Sequence, residues 1–126
     1  MADSDRVVLS VPARGEYART VRLVAAELAT RIGMSIDEVD DVRLAVEEAF
    51  VYATQAAEIE TVTCAFELDG SSLEMLVGPL PDTCIGGEAT DASQRYAKFI
   101  LEGVSDEFEL LQRDDGCYVR LLRRMA

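Results

Sequence analysis

Apolar and polar positions change period several times along the chain, and each change marks an element. Residues 6–12, RVVLSVP, alternate with Val7, Leu9 and Val11 on one side, which predicts a first strand. Pro12 and Gly15 then interrupt the pattern. From Glu16 to Ile32 the apolar positions Tyr17, Val21, Val24, Leu28 and Ile32 step by three and four, the spacing of one helix face. Gly33 follows where a C-terminal cap is expected. Ser35 and Glu38 form an S-x-x-E capping box that opens a second helix. Its buried stripe is read as Val39, Val42, Val46, Ala49, Phe50, Ala53 and Ala57, fading near Glu58.

Two alternating runs come next. Thr61–Leu68 places Val62, Cys64, Phe66 and Leu68 inward, and Ser72–Val77 places Leu73, Met75 and Val77 inward. Asp69-Gly70 between them signals a tight hairpin. Residues 78–90, GPLPDTCIGGEAT, are rich in proline and glycine and read as a loop. Asp91–Val104 reads as a third helix with Tyr96, Phe99, Ile100 and Val104 on its apolar face. Phe108–Gln112 and Cys117–Leu122 form a second hairpin closed by Asp114-Asp115-Gly116. The order β-α-α-β-β-α-β-β predicts an α/β (α+β) two-layer sandwich, with a mostly antiparallel mixed sheet covered on one face by helices. With 126 residues, one domain over residues 1–126 is expected.

Composition narrows the chemistry. The net charge of −12 argues against binding nucleic acid or anionic lipid, whose phosphates need clustered positive charge. No apolar run is long enough to span a bilayer, and MADSDRVVLS has no basic start before an apolar stretch, so a cytoplasmic location is expected. The chain has no histidine and no CxxC pair, which excludes Ser-His and Cys-His catalysis and a zinc site of Cys and His. No metal site is expected. Cys64 and Cys117 fall in strand-like runs and read as core thiols.

One pair stands out against this background. Glu47 and Glu48 sit within LAVEEAFVYA, where a carboxylate is embedded among apolar residues and burial without a partner is costly. Glu48 reads first as a carboxylate at the edge of a cleft, paired with an arginine such as Arg22 or Arg43, and second as a catalytic base. Glu47 reads as solvated, and Tyr52 as a core-filling aromatic with its hydroxyl at a rim.

The element order, the P-A-x-x-x-Y lead-in to the first helix and the LAVEEA pattern together resemble the GHKL ATPases. The likeness is greatest to the anti-sigma-factor serine kinases. It covers nearly the whole chain and implies the Bergerat-type ATPase fold. In that family the second helix carries an N-box resembling LAVSEACTNAVxHA. Its glutamate, which acts as base or orients the nucleophile, falls on Glu48. Its magnesium-binding asparagine falls on Tyr52, and a phenol is a poor ligand for that ion. The adenine-binding aspartate of D-x-G-x-G falls on Pro79, with Asp82 and Gly86-Gly87 as a shifted version. The glycine-rich phosphate loop falls on Gln94-Arg95-Tyr96-Ala97, which has no glycine.

The resemblance therefore implies an ATPase scaffold with eroded nucleotide motifs, Glu48 being a relic of the catalytic base. The expected function is control of a sigma factor by protein–protein binding, without a cofactor. The implied partners are a sigma factor and a STAS-type anti-anti-sigma protein, with a homodimer and with the first-helix region Arg14–Arg31 as the partner surface. The alternative is an active serine/threonine kinase that uses Mg-ATP, Glu48 and Asp82 to phosphorylate the STAS-type protein. A third reading places another small ligand in the old cleft, lined by Tyr52, Cys84 and Tyr96.

Overall fold

A computed structural model describes residues 4–55, 59–80 and 102–126. Strand β1 runs over Asp5–Pro12. A 3-10 turn at Gly15–Tyr17 leads into helix α1, Ala18–Arg31, and helix α2 spans Ile36–Thr54. Strands β2, Thr61–Leu68, and β3, Ser72–Leu80, form the first hairpin. Strands β4, Glu107–Arg113, and β5, Gly116–Arg124, form the second. The third helix read over Asp91–Val104 lies outside the described residues except at its end, where residues 102–104 are helical. No described helix is long and apolar enough to cross a membrane.

The strands make one sheet in the order β1-β2-β3-β5-β4, and every described pairing is antiparallel. Side chains of period two send Val62, Cys64 and Phe66 of β2, Leu73, Met75 and Val77 of β3, and Cys117, Val119 and Leu121 of β5 to one face. There they join Val21, Ala25, Leu28 and Ala29 of α1 and Val42, Ala45, Val46, Ala49, Phe50 and Ala53 of α2 in one core. This is the two-layer sandwich expected from the sequence, with helices on one face. Burying a side chain such as Phe50 contributes about 1.5–3 kcal/mol.

The turns form as their residues dictate. Gly33, at φ +96°, closes α1: its N–H reaches Thr30 O, and that of Met34 reaches Ala29 O, a Schellman arrangement. At the first hairpin, Asp69 Oδ1 accepts the N–H groups of Ser71 and Ser72 at 2.8 and 2.9 Å. The second hairpin turns on Asp114-Asp115, between the paired Arg113 and Gly116.

Two readings need correction. Residues 78–80, read as the start of a loop, belong to β3, which continues through Gly78 and Pro79 to Leu80. Leu80 pairs with Cys117 after a register shift beyond Val77. A bulge is where a sheet tolerates proline. Cys64 is a buried free thiol as read, its pKa pushed up to about 12 by burial, whereas Cys117 is equally buried but disulfide-bonded.

Candidate functional site

The site is built on α2. Ser35 Oγ accepts the N–H of Glu38 at 3.1 Å, and Glu38 Oε1 accepts that of Ser35 at 2.8 Å, so the capping box closes as expected. The apolar stripe from Val42 to Ala53 then fixes the rotation of the helix against the sheet. With that rotation set, Glu48 and Tyr52, one turn apart, share a half-buried flank beside the stripe.

Electrostatics separate the two glutamates. Glu47 reaches across to α1, where Arg22 Nη1 donates to its Oε1 at 2.7 Å with both side chains about one-third exposed. Arg43 pairs instead within its own helix, with Asp40 at 3.6 Å. Neither arginine serves Glu48, which corrects the pairing read from the sequence. It is Glu47, read as solvated, that holds the cation. Glu48 has no ion-pair or hydrogen-bond partner among the described residues. Burial, and then the charge of Glu47, hold its carboxyl above the usual glutamate range.

Tyr52 packs against the core cluster, and burial raises its phenol, so the ring carries a neutral hydroxyl at ordinary pH. Pro79 is an exposed residue near the end of β3, next to Gly78. A Cβ on Gly78 would stand 2.7 Å from Tyr118 Cδ2 and 2.8 Å from Cys117 O, so the backbone there is packed directly on β5. Of the remaining readings, Asp82, Cys84, Gly86-Gly87 and Gln94–Ala97 lie outside the described residues. Among the described residues no group of three His, Cys, Asp or Glu side chains is placed to hold a metal ion.

Other features had no reading from the sequence. Leu23 of α1, 59 % exposed, lines a shallow surface groove with Ala26, Thr30 and the Glu27–Arg31 ion pair. Its place two residues from Val21 and Ala25, on the opposite side of the helix, is visible in the sequence, but an exposed leucine is unremarkable until its neighbours are known. Arg120 of β5 binds Glu74, Glu107 and Glu109 at 2.6–3.1 Å on the sheet face away from the helices.

Comparison with known proteins places this geometry. Residues 11–121 match the sequence model of a family described as Histidine kinase-like ATPase domain. The serine-protein kinase RsbW of Bacillus cereus (strain ATCC 10987 / NRS 248) is 30 % identical over 76 residues, 58 % of this chain and 48 % of that protein. The serine-protein kinase RsbW of Bacillus mycoides (strain KBAB4) is 30 % identical over 80 residues, 61 % of this chain and 50 % of that protein. The chain thus spans about half the length of these curated relatives. The crystal structure of the RsbU and RsbW domains of Rv1364c from Mycobacterium tuberculosis superposes with a TM-score of 0.70 at 18 % identity, over 95 % of this chain and 32 % of that one. The fold and the resemblance read from the second helix agree with these matches, and the chain belongs to the histidine kinase-like ATPase domain family.

Proposed function

We propose that this chain is an anti-sigma-type regulator that holds a sigma factor by direct contact, as a homodimer, and does so without ATP. The observation that carries the reading is Tyr52. Its ring is packed on the core and its phenol is kept neutral, at the position the family likeness gives to the magnesium ligand. Magnesium takes hard oxygens in a tight octahedron, and a neutral phenol beside the Glu48 carboxylate does not make that donor set. Pro79, at the position of the adenine-binding aspartate, offers no acceptor side chain. The residues present therefore do not fit Mg-ATP. The partner surface is the outward side of α1, where Leu23 stands exposed over Ala26 and Thr30 beside the Glu27–Arg31 pair. A STAS-type protein competing for the same surface would release the sigma factor.

A second reading, an ATP-dependent serine/threonine kinase acting on the STAS-type protein, is favoured by one observation. Glu48 has no partner among the described residues and its carboxyl is held above its usual range, as a general base requires. One experiment separates the two: sigma-factor affinity measured with and without Mg-ATP, for the wild type and for Leu23→Asp. The expected result is equal wild-type affinity in both conditions and a loss of about tenfold or more for Leu23→Asp. Binding that depends on Mg-ATP, or transfer of phosphate to the STAS-type protein, rejects the first reading in favour of the second.

A further inference from the structure

Helices α1 and α2 pack against each other on the sheet. The buried stripe of α1 is Val21, Ala25, Leu28 and Ala29. Half of that stripe is alanine, whose single methyl interlocks little with a neighbouring helix, so apolar packing gives α1 a weak rotational grip. The rotation decides what α1 shows to solvent. Adjacent helical residues point about 100° apart. With Arg22 turned into the seam toward α2, Leu23 is turned outward, over Ala26 and Thr30 of the surface groove.

Among the described residues, one side-chain hydrogen bond crosses that seam. Arg22 Nη1 donates to Glu47 Oε1 at 2.7 Å, and both side chains are partly buried. Arg31 and Arg43 pair instead within their own helices, with Glu27 and Asp40. The Nε of Arg22 is buried and has no hydrogen-bond partner among the described residues. A buried donor without a partner is costly, and a partly exposed ion pair gains little against solvent. Stability is therefore a poor reason for this arginine. Orientation is a better one, because a charged fork held by a carboxylate fixes how two elements face each other where apolar packing does not. The bridge also sets this chain apart from the N-box pattern LAVSEA, which has serine where this chain has Glu47. A serine side chain is too short to reach across to a neighbouring helix.

We propose that Arg22 and Glu47 are positioning residues for partner binding. Their bridge sets the rotation of α1 that presents Leu23, Ala26 and Thr30, without itself touching the partner. This rests on the proposed function and adds to it the pair of residues that holds the partner surface in place.

The test is a charge exchange read by sigma-factor affinity without nucleotide. Arg22→Glu and Glu47→Arg each set like charges across the seam, and each is expected to weaken binding about tenfold or more. Arg22→Glu combined with Glu47→Arg is expected to bind within about threefold of the wild type. Glu47→Gln keeps the shape and loses the charge. It is expected to fall between these limits, and it replaces either reversal that circular dichroism shows to be unfolded. A partner-free readout separates positioning from general weakening. Nitroxide labels on Leu23→Cys and Leu44→Cys, both exposed and one on each helix, report the distance between the helices. A narrow distribution is expected in the wild-type background, broader or shifted with Glu47→Gln, and narrow again in the exchanged pair. Single variants that bind like the wild type overturn this inference and leave the proposed function standing. A loss that the exchanged pair does not recover also overturns it, since Arg22 would then be a direct partner contact. An unaltered distance distribution overturns the positioning role in the same way. A wild type that binds no sigma factor rejects the proposed function, and this inference with it.

Discussion

Glu48 is a carboxylate whose neighbour, Glu47, holds the cation of Arg22. Arg22 satisfies Glu47 at 2.7 Å, so the Glu47 charge partly screens itself while Glu48 carries the cost of burial and proximity. The sign of the consequence follows from linkage. A carboxyl whose pKa is raised on folding binds more protons in the native state, so stability falls as pH rises from the unfolded value through the native one. The loss is complete once pH has passed the raised native value. Glu48→Gln is therefore expected to raise the melting temperature at about pH 7 and to change it little near pH ~3, where both states keep the proton. Thermal melts at the two pH values check this, and an equal shift at both would refute an electrostatic origin. That the pair is embedded among apolar residues was legible in LAVEEAFVYA, but the sequence reading gave the arginine to Glu48 and left Glu47 solvated. Which glutamate takes Arg22 was not legible there. Adjacent helical residues point roughly 100° apart, and only the crossing of α1 with α2 decides which faces the arginine.

Helix α2 is held at its start by more than its own cap. Glu38, buried in the first turn, uses one oxygen for the N–H of Ser35 and the other for the N–H of Ala126, at 2.7 Å. Arg123, near the end of β5, adds an ion pair to Asp41 at 3.0 Å, so the end of β5 and the residues after it are fastened to the head of α2. Hydrogen bonds from the backbone of Ser35, then of Ala126, hold the Glu38 carboxyl below the usual glutamate range. Its contribution is present above the ordinary glutamate pKa and is lost as pH falls through the lowered native value. Urea unfolding across an acid series is expected to show that loss in the wild type and to lack it in Glu38→Gln. Ser35→Ala is expected to cost about 1 kcal/mol at any of these pH values. A Glu38→Gln variant that keeps the wild-type acid profile rejects this role. The cap was legible because S-x-x-E is a local signal, and the hairpins at Asp69-Gly70 and Asp115-Gly116 were legible for the same reason. The contact with Ala126 and the extension of β3 through Gly78-Pro79 to Leu80 were not. Glycine and proline read as breakers, and pairing with Cys117 is a long-range fact.

At the scale of the molecule, helices packed on one face of an antiparallel sheet followed from the switching of hydrophobic period, since each element can bury only one side. What the period does not encode is the use made of the surfaces left over. Nothing in the period of α1 distinguishes a solvated leucine at position 23 from one in an interface, and nothing in α2 says whether the flank of Glu48 and Tyr52 receives a ligand. Thermodynamic linkage tests the second point without assuming a partner. A ligand that binds only the native state raises stability by about 2.7 kcal/mol at a hundredfold excess over its dissociation constant. For a chain of this length such a gain moves the melting temperature by several degrees. With Tyr52 packed against the core at the position the family likeness gives to the metal ligand, the proposed reading expects millimolar Mg-ATP to leave the melting temperature unchanged. An ATP-binding serine kinase of the same family, run in parallel, shifts upward. An upward shift of several degrees in this chain would reject the nucleotide-free reading. If Asp82→Ala then abolished that shift, the adenine contact would be the displaced aspartate, and Glu48 would return from relic to working base.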